Sequence, residues 1–205
     1  MEGLIMKAKL FLGASLFLGS TQIVAMNENA ADKKDAVSNI VFVAAEKGED
    51  LSGYKELVAK VYSGHTKEGS EDYTRRIIEK TFPVLAAWAG QKGKRFVKVL
   101  DGEKPVGFTT LKALTDDETH IAMAQSPLLP EYAGHYAKYL TCVKAQFPNA
   151  TKVSVTCSSQ LPKLQAVIEK FGFKPDDSYK GCEELSFAFT PDEEKEITGY
   201  TRELE

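Results

Sequence analysis

Apolar residues recur along this chain with two periods, and the alternation between them lays out the elements. Ile40 to Ala44 is a short unbroken apolar run, the pattern of a buried strand. Tyr54, Leu57, Val58 and Val61 then recur at helical spacing, with Ser52 as the expected cap and Gly64 as the stop. A second helix is predicted from Ser70, where Glu71 and Asp72 favour its positive end and Tyr73, Ile77 and Phe82 turn inward. Pro83 lacks an amide hydrogen and is expected to kink or break that helix, with a further turn or two from Val84 to Trp88 before Gly90. Arg95 to Leu100 and Val106 to Leu114 read as strands joined by a hairpin at Asp101-Gly102. Thr119 to Leu128 follows as another strand after the turn at Asp116-Asp117.

The second half repeats the logic. Tyr136, Leu140, Val143 and Phe147 form an apolar stripe on a helix after Gly134, ended by Pro148-Asn149. Lys152 to Cys157 is a strand. Leu161 to Phe171 is a helix with Leu164, Val167, Ile168 and Phe171 inward and Gly172 as its stop. Glu184 to Phe189 and Glu196 to Leu204 are expected to close the chain as two strands. The class is α+β, in the order β-α-α-β-β-β-α-β-α-β-β. The strands before Pro130 and after Asn149, separated by a turn and a helix, are expected to run parallel through a right-handed crossover.

Composition narrows this little. The chain has 205 residues, 43% hydrophobic, with a net charge of −3. That suits one domain, residues 39–205, behind an N-terminal extension. No cluster of Lys and Arg stands out, which argues against a nucleic-acid surface. Lys7 and Lys9 precede an apolar run from Leu10 to Leu18, and small residues continue to Ala25. This fits a secretory signal peptide over residues 1–25, too short in its apolar core to span a bilayer comfortably and leaving no stable membrane span once removed. The chain is then exported, periplasmic or secreted. The alternative is an N-terminal helix docked on the domain or an uncleaved anchor, and a cytoplasmic protein if the segment is no signal. Residues 26–38 are polar and charged and read as a linker. Cys142, Cys157 and Cys182 make an odd set: one disulfide with a free thiol, or small buried hydrophobes. No Cys or His spacing suits a structural zinc.

Between Ser126 and Phe173 the chain carries Pro130, Glu131, Tyr132 and Gly134, then Glu169, Lys170, Gly172 and Phe173. These words resemble the cofactor-binding half of the GNAT superfamily of N-acetyltransferases. There P-E-Y-R-G-x-G-x-G opens the helix that cradles coenzyme A, and a helix ending E-K-x-G-F follows. The resemblance implies a GNAT-like α/β/α fold with a mixed twisted sheet, in which the strand before Pro130 splays from its neighbour. It also implies acetyl-CoA as acyl donor and an amine, on a small molecule or a protein, as acceptor. The cofactor would lie along Leu128, Ala133, Gly134, His135, Tyr136, Ala137 and Lys138. Leu128 would offer its backbone to the pantetheine arm, and the helix N-terminus its amides to the pyrophosphate.

The chain departs from the family pattern at several points. Ala133 stands at the basic or glutamine position, and Tyr136 and Lys138 where later glycines belong. Ile168 stands where the family often has a tyrosine acid, and Leu161, beside Gln160, where it often has asparagine. No catalytic residue is assigned. Glu118 and Glu131 are the carboxylates nearest the family's base position, Gln125 cannot take a proton, and His120 is either a base or a surface histidine. Amine acetylation draws much of its rate from proximity, so these losses do not by themselves abolish the reaction. Two functions follow: an acyl-CoA-dependent N-acetyltransferase, or a non-catalytic exported GNAT-like binding module. A general α+β domain with chance similarity is the third.

Overall fold

The structure, a computed structural model, describes residues 40–63, 71–158 and 168–205. The signal and linker expectations therefore lie outside the described residues, as do Gly64, Ser70, Gln160, Leu161, Leu164 and Val167. Seven strands form one sheet: β1 (Ile40–Ala44), β2 (Lys94–Asp101), β3 (Lys104–Ala113), β4 (His120–Gln125), β5 (Lys152–Ser158), β6 (Lys174–Pro175) and β7 (Ile197–Glu203). Their order is β1-β2-β3-β4-β5-β7-β6. All neighbours are antiparallel except β4 and β5, which are parallel, as the crossover argument requires.

Alternation along the strands gives the sheet two buried faces. On one, Phe96 of β2 stacks on Phe108 of β3 with centroids 4.7 Å apart. Tyr54 of α1 (Ser52–Ser63) and Phe82 of α2 (Glu71–Ala86) meet both rings edge-on. The other face receives α3 (Ala137–Gln146): Tyr139 packs edge-on against Phe42 of β1, and Arg95 lies over the ring of Phe147. A smaller cluster joins Leu85 and Trp88 to Ala122 and Ala124 of β4 and to Tyr179, Cys182 and Leu185.

Several expectations change. Ser52 is the first residue of α1 rather than its cap, and the Asp50 carboxylate accepts the Ser52 amide at 2.9 Å. Helix α2 runs through Pro83 to Ala86. Pro83 removes one amide but ends nothing, because Leu85 and Trp88 beyond it are buried anchors. The stretch expected as a strand at 184–189 is helical instead: α4 (Glu183–Ser186) and then α5 (Pro191–Lys195). Glu184 bonds Lys94 of β2 at 2.8 Å and Lys112 of β3 at 3.2 Å, which ties α4 across the sheet rather than onto its edge. The Gly172 stop holds: its amide donates to Glu169 and the Phe173 amide to Ile168, both closing the turn at 168–170. All three cysteines are buried and free.

Candidate functional site

β4 and β5 pair at only three positions: His120 with Lys152, Ile121 with Val153, and Ala122 with Ser154. Both strands continue, to Gln125 and Ser158, without pairing with each other, so they splay. The register of β3 and β4 passes from Thr110 opposite Gln125 to Leu111 opposite Met123, so Ala124 is the extra residue of a β-bulge in β4 at this level, and bulges re-aim strand ends. Beyond Gln125 the chain still follows β3. The Phe108 amide donates to the Pro127 carbonyl at 3.1 Å and the Leu129 amide to the Val106 carbonyl at 2.9 Å. Backbone direction alternates along an extended chain. Pro127 and Leu129 thus point at β3, while Ser126 and Leu128 turn their amides and carbonyls toward the side β5 has left. Among the described residues, no hydrogen bond takes the amide or the carbonyl of Leu128.

The residues of this segment that carry the family resemblance separate by task. Pro130 opens a 3-10 turn, Pro130–His135, where the sequence expectation started an α-helix at Gly134. Tyr132 anchors that turn to the β2–β3 hairpin: its hydroxyl donates to Asp101 at 3.0 Å, and Lys104 sits over its ring. Inside the turn, amides bond carbonyls three residues back, which commits those of Gly134 and His135. The first free amides of an α-helix here belong to Ala137 and Lys138, at the start of α3. Gly134 is exposed, and an added Cβ would meet nothing within 4 Å. Internal packing therefore does not demand glycine there. His135 is half-buried, and Ala137 and Lys138 are exposed. Tyr136 and Leu128 are buried; the side chain of Ala133 is outside the described residues. Of the expected stripe, Tyr136, Val143 and Phe147 are buried and Leu140 is partly buried, with Tyr139 and Cys142 added.

A cavity of about 390 Å³ lies beside Thr156, on the part of β5 that no longer pairs with β4. Thr156 of β5 and Ile197 of β7 form its floor, and Cys182, Leu185 and Phe189 its apolar wall. Glu183, Glu194 and Lys180 line it as well.

The candidate acid-base residues are scattered. Ile168 is buried in the core, an aliphatic side chain with no proton to give. Gln125 is buried and donates to Thr81 at 3.3 Å. Glu131 is exposed in the 3-10 turn, and Glu118 sits in the turn before β4 with a φ of 58°. His120 is not a simple surface histidine. Its Nε2 lies 2.7 Å from Ser154 Oγ, which is 2.6 Å from Thr201 Oγ1, which donates to Asp176 at 2.7 Å. Hydroxyl donors from Ser178 and Thr201 hold the Asp176 carboxyl at about 2. A carboxylate only accepts, so Thr201 gives its proton to Asp176, Ser154 gives its own to Thr201, and His120 Nε2–H donates to Ser154. Neutral His120 is thereby fixed with its lone pair on Nδ1. This chain crosses β4, β5 and β7 at the vertex of the splay. Nothing in the sequence pattern paired these four residues, since each is a separate polar residue on a different segment.

Burial, and then Lys152, lower the His120 pKa, against opposing pulls from Asp176 and Glu203. The folded state thus prefers neutral His120. Its contribution to stability is full above the unfolded value near 6.5 and is lost as pH falls below it. Asp176 adds a second loss, from its ordinary value of 3.8 down to about 2. The melting temperature is expected to fall between pH 7.5 and 5, and His120→Asn is expected to shrink that fall. An unchanged fall in the variant would assign the pH dependence elsewhere.

No protein-family model matches the sequence, and no curated protein matches it. Solved structures do. PaiA N-acetyltransferase from Thermoplasma acidophilum, in complex with coenzyme A, aligns with a TM-score of 0.56 at 16% identity, over 81% of this chain and 99% of that one. A probable acetyltransferase from Staphylococcus epidermidis gives 0.56 at 12% identity over 81% and 99%. A spermidine N-acetyltransferase SpeG chimera from Vibrio cholerae and hSSAT gives 0.52 at 14% over 80% and 94%. The chain has the GNAT-like fold: a mixed seven-stranded sheet with helices on both faces, splayed between its two parallel strands.

Proposed function

We propose that this protein is an acyl-CoA-dependent N-acyltransferase with acetyl-CoA as the acyl donor. The observation that carries the proposal is the open backbone edge at Leu128, beside the start of α3. An amide-bearing arm can pair with the Leu128 amide and carbonyl as an added strand would. The Ala137 and Lys138 amides, with the helix dipole, suit a pyrophosphate, and the Lys138 ammonium lies on the same exposed turn. Gly134 leaves room for close approach.

The acceptor amine would enter through the cavity beside Thr156. Its two carboxylates against one ammonium favour a cationic amine at the rim. The ammonium first gives one proton to water; the neutral nitrogen then attacks the thioester carbon, the C–N bond forms and the C–S bond breaks. The second proton lost by nitrogen ends on the departing thiol. A backbone amide at the open strand edge would polarise the carbonyl. No side chain is assigned as acid or base, and positioning carries the rate.

Titration of the full chain with acetyl-CoA tests this. Ligand well above its dissociation constant stabilises a protein by roughly 2–4 kcal/mol, read as a rise of several degrees in melting temperature. No shift at millimolar acetyl-CoA, with the protein folded, would remove the cofactor from the account. Gly134→Ala is expected to leave the melting temperature of the free protein within about 2 °C, since the site is open and the change is small. The same variant should weaken acetyl-CoA binding. Undiminished acetyl-CoA affinity in the folded variant would contradict the role of Gly134.

A second reading has its own support. Ile168 stands buried at the family's acid position, so a GNAT-like module that binds without turnover fits as well. Binding of acetyl-CoA without product on a panel of amines would select it. The basic and apolar residues from Lys7 to Ala25 support export under either reading. Fractionation of cells carrying a C-terminally tagged full chain is expected to find a product shortened by about 25 residues outside the cytoplasm. A full-length cytoplasmic product would contradict this.

A further inference from the structure

Tyr136 reaches into the splay itself. Its hydroxyl donates to the Ser126 carbonyl at 3.0 Å, and its ring stacks on that of Tyr139 at 5.2 Å and 24°. Only 7% of the residue is exposed. Over residues 126–128, just two carbonyls face the side β5 has left, those of Ser126 and Leu128. The first is already occupied by a phenol, and the second is open. The neighbouring Tyr139 does a different job. Its hydroxyl meets the Pro127 and Phe108 carbonyls, at 3.3 and 3.4 Å, which belong to the β3 side.

A ligand that binds as an added strand needs acceptors along this edge for its N–H groups. The pantetheine arm of an acyl-CoA has two secondary amides. We propose that Tyr136 sets how far such an arm can pair along the β4 edge. Its hydroxyl competes with a ligand N–H for the Ser126 carbonyl and confines pairing to Leu128 while it stays in place. A carbonyl oxygen can accept two hydrogen bonds, so the competition is for the space before it: the buried Tyr136 phenol stands on the side of the Ser126 oxygen that a ligand N–H would approach. Removing the hydroxyl while keeping the ring frees that oxygen without opening a hole, so the stack on Tyr139 remains. This inference rests on the acyl-CoA reading above and adds to it the residue that limits affinity.

The test compares full-length wild type with Tyr136→Phe by calorimetric titration, using two probes. One is coenzyme A. The other is 3′-phospho-ADP, the part of that molecule without the pantetheine arm. Tyr136→Phe is expected to bind coenzyme A roughly 3- to 10-fold more tightly, the worth of one neutral hydrogen bond, and 3′-phospho-ADP with unchanged affinity. Binding by the variant where wild type shows none would support the proposal equally. Equal or weaker coenzyme A binding by the variant would overturn it while leaving the acyl-CoA reading intact. Equal tightening for both probes would also overturn it, since the effect would then not run through the arm. If neither folded protein binds either probe, the acyl-CoA reading fails and this inference with it. If Tyr136→Phe melts early, both proteins are titrated well below its midpoint, with circular dichroism confirming the fold, and the same expectation holds.

Discussion

Gly199→Ala is expected to destabilise the protein by about 3 kcal/mol, a fall of roughly 6–12 °C in melting temperature for a domain of this size. A Cβ on Gly199 would lie 1.9 Å from the Tyr179 carbonyl oxygen, 2.7 Å from that of Asp176 and 2.9 Å from the Tyr179 carbonyl carbon. These are backbone atoms, so no rotamer change relieves the overlap. The Asp176 amide also donates to the Gly199 carbonyl at 2.8 Å, which pins this turn to β7. Lifting the turn carries Tyr179, Cys182 and Leu185 away from Ala122, Ala124 and Trp88. The smaller core cluster and the wall of the cavity beside Thr156 loosen together. Thermal denaturation reads the loss, and a midpoint within a degree of wild type would show that the turn does not press on Gly199.

Gly107→Ala should be the second-largest effect, costing about 1–3 kcal/mol. The new Cβ would meet the Pro127 carbonyl oxygen at 2.7 Å, Leu128 Cδ1 at 2.8 Å and the Tyr139 hydroxyl at 3.1 Å. The leucine tip can turn, but the Pro127 oxygen cannot move without moving the strand end. That oxygen is held by the Phe108 amide, next in the chain to Gly107. The substitution thus pushes Ser126 to Leu128 off β3 at the point where the open edge is built. Acetyl-CoA binding should fall by more than the stability loss explains. Urea denaturation together with an acetyl-CoA titration on the same variant measures both. Undiminished affinity in a destabilised variant would separate the strand end from the site.

Sequence periodicity found what repetition makes visible. The β2–β3 hairpin at Asp101-Gly102, the parallel pair around α3 and the Gly172 stop each have a local signal spread over several residues. The 184–189 segment misled because Leu185, Phe187 and Phe189 alternate as a strand would. The competing signal, Thr190-Pro191 followed by acidic residues, reads as a helix start, and α5 begins at Pro191. Pro83 misled because an intrinsic helix penalty was weighed without the packing beyond it. The splay was legible only through the family resemblance, since nothing in β4 or β5 marks where pairing stops. Tyr136 was expected to turn toward the sheet, but its partner, a backbone carbonyl ten residues earlier, has no sequence signature. The same holds for the relay from His120 to Asp176, which exists only once four segments meet.

In the proposed complex an acyl-CoA pairs with the open backbone edge at Leu128 and rests its phosphates on the start of α3. Amide chemical shifts of the full chain during an acetyl-CoA titration test it most directly. The Leu128, Ala137 and Lys138 amides are expected to move together and saturate at one concentration, while the β1–β2 amides stay still. Saturable binding that leaves those three amides unmoved, or no binding by the folded chain, would contradict it.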